Sequence, residues 1–257
     1  MIDPRYSIAG VLVGLVVGLT GVGGGSLMTP LLVLVFGFAP ATAVGTDLLY
    51  ASATKTVGTT VHGWRGTVDW KVVLRLAAGS LPATALTLAA LNHAGEHSAS
   101  TGKTISLILG VVLILSAVAT IFRARIVAYL TPRVGAATGS RLTLFTILLG
   151  VVLGTLVSLT SVGAGALGMT ALLILYPTAP MNRLVGSDIA HAVPLTLLAG
   201  LGHWWLGAVD GALLVSLLVG SIPGIIAGSL IATRVSDRVL TPILATVLAI
   251  VGVKLLF

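Results

Sequence analysis

Long apolar runs follow one another along the chain, separated by short polar stretches. The runs are continuous and lack the alternation of half-buried strands, so they predict helices. As helices, the short runs 26–38 and 164–176 would each measure about 20 Å, whereas a hydrocarbon core is about 30 Å thick. We therefore expect these two to be half-helices. The runs cover residues 7–20, 26–38, 41–61, 70–91, 103–122, 141–159, 164–176, 183–202, 210–232 and 238–256.

The composition agrees with a chain that lies mostly in a membrane. Of its 257 residues, 56% are hydrophobic and 8% are charged, whereas soluble domains contain about 25% charged residues. The mean hydropathy is +1.13. These values exclude a soluble domain, and an outer-membrane barrel would show alternating strands. The fold class predicted is an all-α polytopic membrane protein.

Short motifs of the first half recur in the same order in the second half. Val44-Gly-Thr-Asp47 recurs as Val185-Gly-Ser-Asp188, and Gly79-Ser-Leu-Pro82 recurs as Gly220-Ser-Ile-Pro223 at the same offset. The motif Thr20-Gly-Val-Gly-Gly-Gly-Ser26 matches Thr160-Ser-Val-Gly-Ala-Gly-Ala166 after a one-residue slip. Repeats in this order indicate a duplicated chain. We predict a first membrane repeat at 1–122, a linker at 123–140 and a second membrane repeat at 141–257.

The positions of the basic residues predict how the two halves lie in the membrane. The net charge of +7 is spread over short loops, as in cytoplasmic loops, so no nucleic-acid partner is expected. Loop 62–71 contains Arg65 and Lys71, but the equivalent loop 203–210 contains no basic residue. This reversal predicts inverted repeats, each with a broken or re-entrant helix and three to four further helices. The linker is predicted to be cytoplasmic because Arg123, Arg125 and Arg133 lie in it and Arg141 directly follows it.

The two glycine-rich motifs are the expected ligand contacts. Inside a bilayer, a broken helix is tolerated only around a cavity or a protein contact. Gly23, Gly24 and Gly25 allow a ligand to approach the backbone, and the N-terminus of the next helix favours an anion. Ser26 adds a hydroxyl donor, and Ser161 lies in the second motif. The alternative is that these glycines serve only close helix packing.

Ionisable residues within apolar runs usually mark a pathway or a pair. Asp47 and Asp188 match between the halves, with Lys55 two turns after Asp47 and His191 one turn after Asp188. Lys55 can pair with a substrate anion or neutralise Asp47, and His191 can bind an anion, relay a proton or be a core histidine. The aspartates can instead cap helix starts. The chain has no cysteine and no zinc-ligand spacing, so no metal site is predicted.

Together with Pro30, the first glycine-rich motif and Ala43-Val-Gly-Thr-Asp47 resemble the TauE/SafE family of bacterial membrane permeases, over nearly the whole chain. The resemblance implies a multi-pass protein of the bacterial inner (cytoplasmic) membrane that handles small sulfur-containing anions. That family is associated with sulfite or sulfoacetate export and with uptake of organic sulfonates. Carried over by position, the resemblance points to Gly23, Gly24, Gly25, Thr46, Asp47, Gly163, Gly165, Ser187 and Asp188.

We therefore expect a secondary active transporter, not an enzyme, that moves a sulfonate, sulfite or related oxyanion. Alternating access would occur around a midplane site between the two breaks. The expected partners are the anionic substrate, membrane lipid and a proton as coupling ion; no cofactor is expected, and a homo-oligomer is left open. The alternatives are a passive anion channel and a carrier for another small anion or a divalent cation. The predicted substrate-binding residues are Gly23, Gly24, Gly25, Ser26, Thr46, Lys55, Ser161, Gly163, Gly165 and Ser187, and the coupling candidates are Asp47, Asp188 and His191.

Overall fold

A computed structural model describes residues 2–20, 25–64, 66–94, 99–135, 137–231 and 237–256. These ranges form eleven α-helices and one π-helical turn, Ala164–Gly168, and contain no strand. The helices are α1 Pro4–Thr20, α2 Gly25–Leu34, α3 Pro40–Trp64, α4 Trp70–Ala94, α5 Ala99–Ile121, α6 Arg123–Val134, α7 Gly139–Thr160, α8 Met169–Leu175, α9 Met181–Trp205, α10 Gly211–Ile231 and α11 Asp237–Leu256.

The helices confirm the predicted fold class. Within the described ranges, five helices are long and apolar enough to cross a membrane, namely α4, α5, α7, α9 and α10. The protein is therefore an all-α polytopic membrane protein. The short helices α2 and α8 match the two predicted half-helices. The predicted linker differs from expectation in one respect, because residues 123–134 of it form the helix α6.

Both short helices fold back along the helix that precedes them. After α2, the ring of Phe36 packs edge-on against Tyr6 near the start of α1, with ring centroids 5.1 Å apart. After α8, the hydroxyl of Tyr176 bonds to the hydroxyl of Thr146, about two turns into α7, at 2.8 Å. In each case the end of the short helix lies beside the first turns of the long helix. Helices α1 and α2 are thus the two arms of one re-entrant hairpin, and α7 and α8 are the arms of another. They are called here the first and second hairpin.

Matching hydrogen bonds join the two halves. The N–H of Asp69, just before α4, donates to the hydroxyl of Ser187 in α9 at 2.8 Å. The equivalent N–H of Asp210, just before α10, donates to the hydroxyl of Thr46 in α3 at 3.1 Å. Each half therefore holds the other through the same kind of contact, which is the arrangement expected of duplicated halves that pack around a twofold axis.

Helices α3 and α9 run antiparallel in the centre of the molecule. Gly58, late in α3, lies against Ile189, early in α9, while Gly200, late in α9, lies against Leu49, early in α3. Helices of equivalent position that run in opposite directions fit inverted repeats. The orientation of the two halves across a membrane stays a prediction.

Glycines allow two further helix pairs to pack closely. A Cβ on Gly79 of α4 would collide with the carbonyl oxygen of Ile147 in α7. In the same way, a Cβ on Gly220 of α10 would collide with the carbonyl oxygen of Ser7 in α1. Small residues commonly let helix backbones approach each other in membranes. These glycines bring α7, the first arm of the second hairpin, against α4, and α1, the first arm of the first hairpin, against α10.

The π-helical turn accounts for the one-residue slip between the repeats. The equivalent residues Thr29 and Thr170 lie one position further apart in the sequence than the equivalent residues Gly23 and Gly163. The slip therefore falls between these two pairs. A π-helical turn contains one residue more than an α-helical turn and is common at functional sites. The turn at Ala164–Gly168 lies between these two pairs. The second hairpin thus takes up the additional residue at its tip.

Candidate functional site

The two aspartates lie about two turns inside the central antiparallel helices. Asp47 in α3 is fully buried, and Asp188 in α9 is 6% exposed. Since α3 begins at Pro40 and α9 at Met181, neither aspartate caps the start of its own helix. The capping alternative therefore does not describe their position, and the carboxyl groups face protein rather than solvent.

Asp47 is held by the first hairpin. Thr29 of α2 donates both its backbone N–H and its hydroxyl to Oδ2 of Asp47, at 3.2 and 2.6 Å. From the tip of the second hairpin, the hydroxyl of Ser161 also approaches this carboxyl group. Ser161 forms no hydrogen bond of good geometry with a described residue, and neither does Oδ1 of Asp47. The carboxyl group of Asp47 is thus bonded to the first hairpin and lies near Ser161 of the second.

Asp188 has different surroundings from its equivalent. No described residue donates a hydrogen bond to its buried Oδ1. A Cβ on Gly168 would lie 3.1 Å from that oxygen, so the carboxyl group packs directly against the backbone of the π-helical turn. Its electrostatic partners are Lys55 of α3 and Arg123 of α6. Asp188 is therefore placed by packing and charge rather than by hydrogen bonds.

Lys55 connects the two aspartates electrostatically. Its half-buried side chain interacts with both carboxyl groups, and more strongly with Asp188 than with Asp47. Lys55 forms neither a hydrogen bond nor an ion pair closer than 4 Å with a described residue. The ion pair of that kind within the described ranges joins Arg5 and Asp3. Its ammonium group is thus near opposite charges and still available to a ligand.

His191 is fully buried and anchored to the first half. Its Nε2 and the hydroxyl of Ser80 in α4 are hydrogen-bonded at 2.8 Å, and its Nδ1 has no hydrogen-bond partner within the described ranges. The equivalent contact in the other half joins Ser221 of α10 to the hydroxyl of Tyr50, at 2.7 Å. The two halves therefore use equivalent serines, Ser80 and Ser221, to fix chemically different side chains.

The second hairpin has an unusual backbone at its tip. Helix α7 ends at Thr160; Ser161 follows it in the left-handed region with φ 59°, and Gly163 has φ 123°. Thr160 braces this turn, because its hydroxyl accepts from the N–H of Val162 at 3.1 Å and donates to the carbonyl of Leu156 at 2.7 Å. Gly165 lies in the π-helical turn. The tip is an ordered, side-chain-poor segment next to the aspartate cluster.

Some predicted binding residues lie elsewhere. The hydroxyls of Thr46 and Ser187 bond to the segments before α10 and α4, and Ser187 uses its own proton on the carbonyl of Arg183 at 2.7 Å. They therefore connect the two halves in this structure, and their contact with an anion stays a prediction. In the first hairpin, Gly25 and Ser26 begin α2, whereas Gly23, Gly24 and the side chain of Ser26 lie outside the described residues.

Three residues of the cluster are not predicted from the sequence. Thr29 holds Asp47, Ser80 holds His191, and Arg123 interacts with Asp188. Ser80 lies in the repeated motif Gly79-Ser-Leu-Pro82, which could have marked it. No three His, Asp or Glu side chains gather as metal ligands among the described residues. The groups present are two buried carboxyl groups, a buried histidine and a half-buried lysine.

A helical membrane protein whose two re-entrant hairpins meet a buried charged cluster has the construction of a transport protein. The comparisons with known proteins agree. The sequence model for "Sulfite exporter TauE/SafE" matches residues 6–255, and the chain belongs to the TauE/SafE family. The description of the family and the names of the chain's relatives indicate a membrane transporter rather than an enzyme.

Two relatives come from Bacillus subtilis (strain 168). The chain is 40% identical over 210 residues to "Probable membrane transporter protein YjnA", which covers 81% of this chain and 82% of that protein. It is 38% identical over 104 residues to "Probable membrane transporter protein YunE", covering 40% of this chain and 36% of that protein. A "Probable membrane transporter protein" of Xylella fastidiosa (strain 9a5c) is 40% identical over 77 residues, which cover 29% of this chain and 30% of that protein. No solved structure matches the chain significantly.

Proposed function

We propose that this membrane transporter is a secondary active carrier for a small sulfur-containing anion, such as a sulfonate, sulfite or a related oxyanion, in the bacterial inner membrane. The anion would bind between the two hairpins near the middle of the membrane and reach each side by alternating access. The family description supports the substrate class. The geometry of the buried cluster supports an anion site.

The position of Lys55 is the observation on which this proposal depends. Its side chain is half-buried, and its ammonium group forms neither a hydrogen bond nor a close ion pair with a described residue. Removing a charge from water is costly unless the charge is paired and hydrogen-bonded. An oxyanion in contact with Nζ would supply the missing acceptors, and the hydroxyl of Ser161 would add a donor from the second hairpin.

Charge balance supports coupling to a proton. Lys55 and Arg123 together balance Asp47 and Asp188 when all four groups are ionised. An entering monovalent anion adds one negative charge to a medium of low dielectric constant, and one proton on a carboxyl group would offset it. We assign this proton to Asp188, because Thr29 already donates two hydrogen bonds to Asp47. One proton would then accompany each monovalent anion.

Counterflow in proteoliposomes tests the carrier and its substrate class. The vesicles are loaded in turn with sulfite, sulfoacetate or an aryl sulfonate, with and without a pH gradient. Saturable counterflow of at least one of them is expected, and a passive channel would show none. If folded protein moves none of these anions, the substrate class is wrong.

The variant Lys55→Gln tests the anion site. Loss of a charged hydrogen-bonding partner is expected to weaken binding by about 10- to 100-fold. The matched control is Lys103→Gln, since Lys103 is an exposed lysine in α5, and its counterflow should equal that of the wild type. Unchanged counterflow in Lys55→Gln would remove the main support for this site.

Asp188→Asn tests the coupling. With Asn in place of Asp188, the site cannot gain or lose the proton, but Lys55 remains available to the anion. Counterflow should therefore persist, whereas accumulation driven by a pH gradient should be lost. Accumulation at the wild-type level would place the proton on another group.

A further inference from the structure

Helix α6 lies where two membrane-spanning helices end. Helix α5 ends at Ile121 just before α6, and α7 begins at Gly139 shortly after it. At the end of α6, a Cβ on Gly135 would lie 2.7 Å from the carbonyl oxygen of Ile174 at the end of α8. The helix therefore packs against the returning end of the second hairpin, at one surface of the bundle.

One face of α6 packs against the protein. Arg123, Ile126, Leu130 and Val134 are half-buried and recur at helical spacing. Arg123 on this face interacts electrostatically with Asp188. The packing face thus connects α6 with the charged cluster, and it leaves the opposite face of the helix without a protein partner among the elements described.

The other face forms a stripe of aromatic and basic side chains, called here the basic stripe. It consists of Phe122, Arg125, Tyr129 and Arg133, which follow each other at three- and four-residue spacing and are all exposed. The guanidinium of Arg125 lies 5.8 Å from the ring centroid of Phe122, and that of Arg133 lies 3.9 Å from the centroid of Tyr129. Each arginine is stacked on an aromatic ring, which orders its planar donors.

The charges of the basic stripe have no acidic partner in the part of the chain that the structure describes. The sequence contains no Asp or Glu between Glu96 and Asp188, and neither Arg125 nor Arg133 forms an ion pair with a described residue. Two ordered guanidinium groups on an exposed, acid-free helix at the edge of the membrane are complementary to a surface of negative charge.

We propose that the basic stripe of α6 binds the headgroups of anionic phospholipids at this membrane surface. Amphipathic helices of this kind lie in the interface plane, where aromatic rings are enriched at headgroup level. The fork of guanidinium donors matches phosphate oxygens. Binding on this face would hold the opposite face, with Arg123, against the second hairpin.

Native mass spectrometry of the purified full-length protein tests this proposal. The protein is titrated with phosphatidylglycerol or with phosphatidylcholine of the same acyl chains. The wild type is expected to prefer phosphatidylglycerol, with each arginine contributing about fivefold to the affinity ratio. In the double variant Arg125→Gln/Arg133→Gln, the two lipids should bind equally.

The control variant is Lys103→Gln/Lys254→Gln, which removes two exposed cations of other helices and should keep the preference. A preference that survives in a folded Arg125→Gln/Arg133→Gln protein overturns the proposal. So does competition by inorganic phosphate as strong as that by phosphatidylglycerol, since it would indicate a site for a free anion.

A second measurement needs no variant. Raising the concentration of ammonium acetate from about 0.1 M to about 1 M shortens the Debye length from about 10 to about 3 Å. The wild-type preference should then fall to near one. A preference independent of salt would show that acyl-chain contacts, and not the arginines, select the lipid.

Discussion

Single residues at equivalent positions of the two halves make different contacts. From the first hairpin, Thr29 donates its N–H and hydroxyl to Asp47 in α3. Its counterpart Thr170 donates its hydroxyl to the carbonyl of Ala166 within its own segment, at 2.7 Å. In the duplicated halves, the carboxyl group of Asp47 is therefore held by hydrogen bonds, whereas that of Asp188 is placed by packing and charge.

This difference predicts unequal effects of two isosteric substitutions. Thr29→Val removes a hydroxyl that donates to a buried carboxyl group, so it should lower the free energy of unfolding by about 1–3 kcal/mol. Thr170→Val, the matched control, removes only a bond to a carbonyl of the same helical segment and should cost less. The melting temperatures of the two purified variants in one detergent give the comparison. Equal losses would mean that the contact with Asp47 adds no stability.

The sequence predicts the ionisable residues of the cluster but not their partners. Asp47, Asp188, Lys55 and His191 are recognisable because charged or titratable side chains are rare in apolar spans. The partners are recognisable only after the helices have packed. Ser80 and His191, for example, are 111 positions apart, and a threonine or serine in an apolar helix has no pattern that marks such a contact.

At the scale of elements, the prediction succeeds where a segment is apolar and fails where it is not. The half-helices follow from the short apolar runs that begin at the two glycine-rich motifs. Helix α6 is not predicted, because it is 12 residues long, contains Pro132 and several arginines, and has no fully buried residue. Whether a short helix folds back or continues across the membrane also depends on contacts such as that of Tyr176 with Thr146.

The tip of the second hairpin provides the prediction at this scale. Gly163 has φ 123°, and the nearest atom to an added Cβ would be 3.9 Å away, so Gly163→Ala meets no steric obstacle except backbone strain of about 1–3 kcal/mol. We expect the protein to fold and counterflow to fall, because the strained tip lies beside Ser161 and the aspartates. Gly37→Ala, with φ 70° and open space around it, has similar strain away from the site and should transport normally. Normal counterflow in Gly163→Ala would separate the tip from the transport site.

At the scale of the whole molecule, the contacts between the halves determine which ends of the helices lie at the same level. Asp69 follows α3 and bonds to Ser187 near the start of α9, while Asp210 follows α9 and bonds to Thr46 near the start of α3. The end of α3 and the end of α9 are therefore at opposite ends of the central pair. If that pair crosses the membrane, the two halves are inverted.

Trp64 and Trp205 test this inversion directly, since they occupy equivalent positions at the ends of α3 and α9 and are 86% and 90% exposed. The chain has no cysteine, so Trp64→Cys and Trp205→Cys can each be labelled alone with a membrane-impermeant maleimide in intact cells and in inside-out vesicles. Inversion predicts that the two cysteines react from opposite sides. Tyr129→Cys on α6 is the reference. Helix α6 packs beside the end of α8, on the side where α9 begins, and the end of α3 lies on that same side. Tyr129→Cys should therefore react from the same side as Trp64→Cys. Reaction of all three from one side would show that the halves are parallel, and the antiparallel central pair would then have to lie within the membrane without crossing it.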